Sequence, residues 1–263
     1  SDFICVYGDL LFKEDFIVSL LSNFRASGSI ATMALTKSDT PEFFGSVLVD
    51  EDEVVGIFEK SDNPPSNLIN TGIYCFRKEA FSYINKTKLS PRGEYELTDS
   101  LKMMIDEGNK VRWMPLGGKW LDIGRPWDLI DANMFFLESL KHYISKDSKI
   151  SASSKIGYPA HIGSDSTIDS SEIISPCLIS NNVNIGNNSK IKSSVIMKNV
   201  KIGKNCTIEN SVIMEGVKIG DNSVVSFSII GDNSDIGRNV TFESESKENI
   251  KIEIKGELVD SNR

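Results

Sequence analysis

The chain has 263 residues, of which 40% are hydrophobic, 25% charged and 8% aromatic, and its 29 basic and 37 acidic side chains give a formal net charge of −8. This composition is typical of a globular protein with room for two domains. The acidic balance argues against a nucleic-acid polymer as partner, because counterion release needs clustered basic residues. No apolar run reaches the roughly 18 residues of a membrane span and no signal peptide is evident, so we expect a cytoplasmic protein.

The first half of the chain alternates short apolar runs with helical patterns, which predicts an α/β domain. The predicted elements are, in chain order, a buried strand at 3–7, a helix at 16–24, a hairpin of strands at 46–49 and 54–58, a strand at 72–76 and a helix at 98–107. A long helix from Pro126 to Tyr143 leads into the second half. We place the domain boundary between residues 146 and 147.

The second half carries a repeat. Ile-Gly recurs at 185, 202, 219 and 236, in steps of 17 residues, and an aliphatic residue returns about every six positions. This spacing predicts a three-sided parallel coil of hexapeptide repeats with Gly and Asn at its corners. The step from Ile162-Gly163 to Ile185-Gly186 is 23, which predicts one inserted six-residue unit. A polar loop at 243–249 and a strand at 250–254 follow, without a capping coil.

The four cysteines are far apart and only two histidines occur, which leaves a Cys/His zinc site almost without ligands. We expect reduced, mostly buried cysteines.

Four further segments occur in a fixed order ahead of the repeat: Val6-Tyr7-Gly8-Asp9, the run 66–74, Gly93 to Asp99, and Trp120 to Gly124. Together with the repeat they resemble the sugar-1-phosphate nucleotidyltransferases, most closely the archaeal glucose-1-phosphate thymidylyltransferase-like and bifunctional N-acetylglucosamine-1-phosphate uridylyltransferase-like members. The resemblance implies an incomplete Rossmann-like nucleotidyltransferase domain over 1–146 and a left-handed parallel β-helix over 147–263. It also implies transfer of a nucleotidyl group from UTP or dTTP to a glucose or N-acetylglucosamine 1-phosphate, with release of pyrophosphate.

Two aspartates are candidate metal ligands. From the residues alone, Gly8-Asp9 is equally consistent with a turn, and Asp122 is better explained as a helix N-cap or turn residue. The resemblance implies instead that Asp9 and Asp122 together hold one Mg²⁺, a cation that prefers carboxylate and phosphate oxygens.

The sugar 1-phosphate site is predicted from the same resemblance. It implies that Glu59 binds sugar hydroxyls and that Lys60 binds the phosphate, although Ser61 replaces the proline of the family pattern. Further sugar-pocket positions implied are Gly45, Asn70, Thr71, Gly72, Glu94 and Thr98. The structural alternatives are a solvated charged surface for Glu59 and Lys60, a strand entry for Gly45, a turn for 70–72, and a helix-capping pair for Glu94 and Thr98.

The glycine-rich loop that holds the nucleoside triphosphate in this family is not found. The segments 116–119 and 124–126 contain glycines and a basic residue, but neither begins a βα unit after a buried strand, so we interpret both as turns. The chain also opens on an apolar run without an initiator Met. We therefore expect a fragment that begins after the nucleotide-binding segment and is inactive by itself.

Two other functions stay open. Acetyl transfer on the β-helix would need an imidazole base, and the candidates are His142, on the predicted connecting helix, and His161 in the first coils. A non-catalytic regulatory or scaffold relative is the second alternative, and the presence of Asp9, Asp122 and the Glu59-Lys60 pair speaks against it.

Met197 and Met214 are one 17-residue period apart and are predicted to form an exposed apolar stripe. We expect the β-helix to form a homo-oligomer through this stripe, with a trimer favoured. The alternative is that both side chains fill gaps inside the coil or pack under the connecting helix.

Overall fold

A computed structural model describes residues 2–125, 128–243, 251–254 and 257–260. The chain divides into two compact units, Ser1–Asp122 and Ile123–Arg263. None of the described helices has the length and hydropathy needed to cross a membrane.

The first unit is built on a mixed sheet. Its strands are β1 (Phe3–Val6), β2 (Leu10–Leu11), β3 (Ala31–Lys37), β4 (Gly45–Asp50), β5 (Glu53–Glu59), β6 (Leu68–Phe76), β7 (Val111–Pro115) and β8 (Leu121–Asp122). Its helices are α1 (Asp15–Ser27), α2 (Phe81–Ile84) and α3 (Leu97–Asp106), with 3-10 turns at Pro41–Phe43 and Lys78–Ala80. The sheet order is β1-β6-β3-β7-β5-β4, in which β3 and β7 run parallel, and β2 and β8 form a separate ribbon.

Helices cover both faces of this sheet. Phe16, Leu20 and Phe24 of α1 pack on one face, and Leu101 and Met104 of α3 pack on the other. Residues 33–35 of β3 and 73–76 of β6 alternate between these two cores, so both faces of these central segments are apolar. The predicted α/β fold, the two helices and the β4–β5 hairpin are confirmed.

The prediction of a deeply buried first strand is wrong. Strand β1 lies at the edge of the sheet and pairs with β6, and its residues alternate between half-buried and exposed. Phe3 and Cys5 pack on the core shared with α3, whereas Ile4 and Val6 are exposed. An apolar run is typical of a central strand, but in this fold only one face of the strand is covered.

Strand β6 contains a bulge. It pairs with β3 at Met33–Tyr74 and again at Leu35–Asn70, so one residue of β3 faces three residues of β6. The extra residues include Gly72, whose φ is +77°. The predicted turn at 70–72 is therefore a bulge inside a continuous strand that begins at Leu68, a feature that re-aims side chains beside binding sites.

The second unit begins with helix α4 (Asp128–Glu138) and continues as a three-sided coil of short strands. The first side holds β10 (Lys149–Ile150), β13 (Thr167–Ile168), β16 (Asn184–Ile185), β19 (Lys201–Ile202), β22 (Lys218–Ile219) and β25 (Asp235–Ile236). The second side holds β11 (Lys155–Ile156), β14 (Glu172–Ile174), β17 (Lys190–Lys192), β20 (Thr207–Glu209), β23 (Val224–Ser226) and β26 (Thr241–Glu243). The third side holds β9 (Tyr143–Ile144), β12 (Ala160–Ile162), β15 (Cys177–Ile179), β18 (Val195–Ile196), β21 (Val212–Ile213), β24 (Ser228–Ile230), β27 (Lys251–Ile254) and β28 (Glu257–Asp260).

Each strand from β10 to β25 contributes one isoleucine or valine to the core of the coil, as the six-residue spacing predicts, and β26 contributes Phe242. At one corner a ladder of asparagines, Asn188, Asn205, Asn222 and Asn239, adopts φ between 56° and 59°. The amide of each asparagine donates to the carbonyl of the next at 2.9 to 3.0 Å. Such ladders add side-chain hydrogen bonds to the parallel stack.

The predicted six-residue insertion is wrong. Ile162 belongs to the third side and pairs with Ile179, which is 179 − 162 = 17 residues on. Ile185 belongs to the first side and pairs with Ile168, which again is 17 residues away. The two Ile-Gly pairs lie on different sides of the coil, so their spacing of 23 is not one turn.

The connecting helix is shorter than predicted. It ends at Glu138, and Tyr143 lies in strand β9, while the predicted start at Pro126 falls outside the described residues. His142 is therefore not helical, and its Nδ1 accepts the Ala160 N–H at 3.2 Å. The polar loop predicted at 243–249 also falls outside the described residues, apart from Glu243.

The predicted exposed methionine stripe is wrong as well. Met197 and Met214 are partly buried and pack with Ile130 and Leu129 of α4 against the third side of the coil. The alternative, packing under the connecting helix, is the one observed. Apolar side chains at these positions are required by the helix that covers them.

The asparagine ladder generates a stability prediction. Asn205→Ala should lower the free energy of unfolding of the coil by about 1–2 kcal/mol, because a Cβ-bearing residue without a local hydrogen bond disfavours the left-handed region. Asn205→Gly keeps that backbone conformation at no steric cost and should lose less. Urea unfolding followed by far-UV circular dichroism compares the variants. Equal losses would show that the ladder bonds matter and the backbone conformation does not.

Candidate active site

One cleft of about 430 Å³ in the first unit gathers nine of the ten predicted site residues. The tenth, Thr98, lies directly behind its wall. The cleft is lined by Tyr7, Asp9, Leu10, Phe43, Phe44, Gly45, Glu59, Lys60, Asn70, Thr71, Gly72, Arg92, Glu94, Tyr95, Glu96, Leu97, Trp120 and Asp122.

Asp9 and Asp122 come together through the β2–β8 ribbon. Asp9 stands in the turn that follows β1, immediately before β2, and Asp122 ends β8. The antiparallel register pairs Leu10 with Asp122, which places the two aspartates at the same end of the ribbon. The helix N-cap alternative for Asp122 does not apply, since the residue lies in a strand.

The two aspartates fit a magnesium ion. No group of three or more His, Cys, Asp or Glu side chains in the described part of the chain is arranged to hold a metal. Mg²⁺ does not need such a cage, because it is usually held by one or two carboxylates, substrate phosphates and water. Asp9 and Asp122 supply that number of hard oxygen donors in a cleft open to solvent.

Gly45, Glu59 and Lys60 form one wall through the β4–β5 pairing. Gly45 is opposite Glu59, and a Cβ at Gly45 would lie 2.8 Å from Glu59 Oε2, so this close approach requires glycine. Lys60 follows in the left-handed region with φ of 42°, and its N–H donates to the Phe44 carbonyl at 3.1 Å. The turn exposes the lysine side chain at the rim.

Glu59 lies in an acidic cluster held by one arginine. Arg92 is 3.7 Å from Glu59, 2.9 Å from Glu94 and 3.6 Å from Glu96. The Thr98 hydroxyl donates to Glu59 Oε2 at 3.3 Å, and the N-terminus of α3 has no side-chain cap. The capping alternative for Thr98 is therefore wrong, since its hydroxyl orients Glu59 instead.

Burial raises the pKa of Glu59, and the neighbouring Glu96 carboxylate raises it further. The Thr98 hydrogen bond and the charges of Arg92 and Lys60 lower it, but the pKa stays above its ordinary value. Glu59 is thus a partly desolvated side chain whose carboxyl oxygens can accept hydrogen bonds.

The bulge of β6 forms the opposite wall. The Asn70 amide donates to the Tyr74 hydroxyl at 2.6 Å, and its carbonyl accepts the Gly72 N–H at 3.2 Å. The Thr71 hydroxyl is buried and donates to the Ala34 carbonyl at 2.7 Å. Thr71 can therefore offer the cleft only its main chain, and its carbonyl already accepts the Trp120 N–H at 3.2 Å.

Several lining residues were not predicted. Tyr7, Phe44 and Trp120 supply aromatic surface, and the Phe44 and Trp120 rings meet edge-on at 5.7 Å between centroids. Each stands within two residues of a predicted site residue, so the motifs contained this signal. Arg92 stands just before the motif at 93–99. Its local sequence does not indicate that it contacts Glu59 as well as Glu94 and Glu96.

The lining is acidic overall. Five carboxylates face two cationic side chains, Lys60 and Arg92. A phosphorylated ligand would be repelled by this lining, unless a cation accompanied it. The charge balance therefore favours a ligand that enters with a divalent metal ion.

Comparison with known proteins gives two family matches. The sequence matches the nucleotidyl transferase family over residues 1–139 and the LbH domain of the EIF2B subunit epsilon over residues 139–242.

Three curated relatives illustrate the match. The bifunctional protein GlmU of Methanocaldococcus jannaschii is 41% identical over 141 residues, which cover 53% of this chain and 33% of the relative. A bifunctional sugar-1-phosphate nucleotidylyltransferase/acetyltransferase of Sulfurisphaera tokodaii is 35% identical over 52% of this chain and 33% of its own length. The low-salt glycan biosynthesis nucleotidyltransferase Agl11 of Haloferax volcanii is 34% identical over 52% of this chain and 39% of its own length. The matched part of the chain thus spans about a third of these relatives.

Because its pKa is raised, Glu59 is predicted to lower the free energy of unfolding at neutral pH. Because the folded state keeps the Glu59 proton to higher pH than the unfolded chain, unfolding free energy falls as the pH rises from about 4 through the folded pKa. Glu59→Gln removes this penalty, so the variant should be more stable than the wild type at pH 7, with the difference vanishing towards low pH. Urea unfolding followed by tryptophan fluorescence at several pH values measures it.

Glu94→Gln is the matched control for this prediction. Glu94 also pairs with Arg92, but 61% of its side chain is exposed, against 22% for Glu59. Exposed ion pairs contribute little to stability, so this variant should show almost no pH-dependent difference. A Glu59→Gln variant that is less stable than wild type at pH 7 would contradict the burial argument.

Proposed function

The chain belongs to the nucleotidyl transferase family, and on that premise we propose that the full-length protein transfers a nucleotidyl group from a nucleoside triphosphate to a sugar 1-phosphate. The observation that carries the proposal is the single cleft that joins the Asp9 and Asp122 carboxylates to the predicted sugar-phosphate residues. In the proposed reaction a phosphate oxygen of the sugar 1-phosphate attacks the α-phosphorus of the triphosphate. The bond to the bridging oxygen breaks, and pyrophosphate leaves.

The proposed sugar site lies between the two walls of the cleft. Glu59 accepts hydrogen bonds from sugar hydroxyls, in an orientation that Thr98 supports. Gly45 leaves room for the Glu59 carboxylate beside the strand, and the Trp120 ring offers an apolar surface. Asn70 and the main chain at Thr71 and Gly72 complete the opposite wall.

The proposed phosphate site uses the cationic side chains. Lys60 stands at the rim, and no carboxylate in the described residues lies within ion-pair distance of it. Its ammonium is available to neutralise the sugar phosphate. Arg92 offsets part of the negative charge of Glu59, Glu94 and Glu96 and so weakens the repulsion between this acidic cluster and the incoming phosphate.

Asp9 and Asp122 are the proposed ligands of Mg²⁺. The bound ion would supply charge neutralisation of the phosphates. The residues of the chain itself position the reactants and stabilise charge, which are the dominant contributions to phosphoryl-type transfer.

The aspartate pair predicts a loss of activity without a loss of fold. Asp9→Asn and Asp122→Asn in the full-length protein should each reduce pyrophosphate release by at least 100-fold, since each swap keeps the size but removes one of two anionic ligands. Asp39→Asn is the control, because Asp39 is exposed and lies outside the cleft. Near-normal turnover of either cleft variant at limiting magnesium would remove that residue from the metal site.

We also propose that the coil unit forms a homotrimer. The third side of the coil is covered by α4 at Val212 and Ile229, whereas the first two sides are flat and present mainly polar side chains. Flat sides of a three-sided coil can pack around a threefold axis. Light scattering over a range of concentrations should give three times the subunit mass, and a monomer at all concentrations would contradict the proposal.

Met214→Lys tests the corrected role of the methionines. It should lower the free energy of unfolding of the second unit, because it places a charge under α4. The oligomeric mass of the folded protein should stay unchanged. Dissociation without loss of stability would return the methionines to the interface.

A further inference from the structure

The Tyr74 hydroxyl is the centre of a buried hydrogen-bond chain beside the cleft. Tyr74 is 0% exposed, yet its hydroxyl has a partner on each side. It accepts the Asn70 Nδ2–H at 2.6 Å and donates to the Tyr7 hydroxyl at 3.2 Å. Asn70 and Tyr7 both line the cleft, whereas Tyr74 does not. The chain thus joins two cleft residues through a third that no ligand can reach.

The direction of the hydrogen bonds is determined by the groups at its ends. The Gly72 N–H can only donate, so the Asn70 atom that it contacts is Oδ1, and Nδ2 must point to Tyr74. Burial holds the pKa of Tyr74 well above its ordinary value, so its hydroxyl keeps its single proton. That proton is directed at the Tyr7 oxygen.

Two donors remain at the cleft once these bonds are made. The Tyr7 oxygen accepts from Tyr74, so the Tyr7 O–H is left to donate elsewhere. Asn70 retains its second Nδ2–H. Both groups therefore offer donors, and a ligand oxygen that accepts hydrogen bonds is their complement.

The positions of both side chains are also constrained. A Cβ at Gly72 would lie 2.6 Å from Cδ2 of Tyr7, so the Tyr7 ring lies against the glycine main chain. The Tyr7 N–H donates to the Gly72 carbonyl at 3.0 Å. The rings of Tyr7 and Tyr74 meet at 5.9 Å between centroids. Contacts with the main chain at Gly72 therefore fix the position of Tyr7 in the hydrogen-bond chain.

We propose that Tyr74 is a positioning residue for the sugar: through Asn70 and Tyr7 it presents two hydrogen-bond donors to neutral oxygen atoms of the sugar 1-phosphate, such as a hydroxyl, ring or acyl oxygen. The proposal rests on the proposed function. It assigns Tyr74 to recognition of the sugar, while leaving nucleotide binding independent of it.

Tyr74→Phe and Tyr83→Phe form a matched pair of variants. Tyr83 is 8% exposed in the first unit, and its hydroxyl accepts from Asn109 at 2.9 Å and donates to Glu107 at 2.7 Å. Each substitution removes one hydroxyl with one accepted and one donated bond. Tyr83 does not line the cleft, so its variant reports the effect of such a loss on stability alone.

Steady-state kinetics of the full-length protein give the functional readout. Tyr74→Phe should raise KM for the sugar 1-phosphate about tenfold, the equivalent of one oriented hydrogen bond, and leave KM for the nucleoside triphosphate within about twofold. Tyr83→Phe should change neither KM. The effects of Tyr74→Phe and Tyr7→Phe on sugar KM should combine to less than their product, because both act on one chain.

The Asn70 side-chain amide gives a readout that needs no turnover. In ¹H–¹⁵N spectra one of its two Hδ2 resonances should move upfield in Tyr74→Phe, because the hydrogen bond to the hydroxyl is lost, and stay in place in Tyr83→Phe. An unmoved resonance would overturn the proposed orientation whether or not the protein is active.

The kinetic outcomes separate this inference from the function on which it rests. If the wild type turns over no sugar 1-phosphate while the amide resonance moves, the proposed function fails and the hydrogen-bond chain stands. If the wild type is active and Tyr74→Phe keeps its sugar KM, or raises both KM values equally, the positioning role of Tyr74 is overturned.

Discussion

The bulge in β6 is the constraint on which the cleft depends. In a regular strand, residues four positions apart are separated by about 13 Å between Cα atoms. In β6 the Asn70 amide and the Tyr74 hydroxyl are nevertheless 2.6 Å apart, because the intervening residues fold out of the ladder with β3. Gly72 permits this with its positive φ, and the Thr71 hydroxyl bonds the Ala34 carbonyl across the interruption. Gly72 therefore permits the backbone conformation that forms one wall of the cleft.

The acidity of the cleft follows from two different demands on the same surface. Recognition of hydroxyl groups needs acceptors, and the glutamates around Arg92 supply them. A phosphorylated ligand needs cations, and the cleft provides Lys60 and a pair of aspartates suited to Mg²⁺. Arg92 lies within 4 Å of Glu59, Glu94 and Glu96. It therefore partly neutralises their charge where the sugar would lie.

The sequence predicts most where contacts are local in the chain. Between β9 and β26 successive turns of the coil pair at a spacing of 17 or 18 residues, so this period reveals that part of the stack. The false insertion arose because Ile-Gly occurs on two sides of the coil, and a dipeptide does not record its side. The hidden methionines show the same limit, since a distant helix decides that Met197 and Met214 are covered.

In the first unit the contiguous motifs predicted which residues share the cleft, and the fold alone shows how they are used. The role of Arg92 was not predicted because one of its partners, Glu59, lies on β5, far from Arg92 in the chain. No single spacing rule joins Glu59 to the two glutamates that follow Arg92. The edge position of β1 was not predicted, because an apolar run occurs both in central strands and in edge strands with one covered face.

The predicted threonines show why a motif transfers a location more reliably than a role. Thr71 and Thr98 are both buried, and their hydroxyls donate to the Ala34 carbonyl and to the Glu59 carboxylate. Thr98 restricts how the Glu59 carboxylate can turn, and Thr71 ties the bulge of β6 to β3. A hydroxyl buried in this way would be costly if it lacked a partner. The Thr98 hydroxyl therefore orients a carboxylate of the cleft directly, whereas the Thr71 hydroxyl fixes the strand from which Asn70 reaches the proposed sugar site.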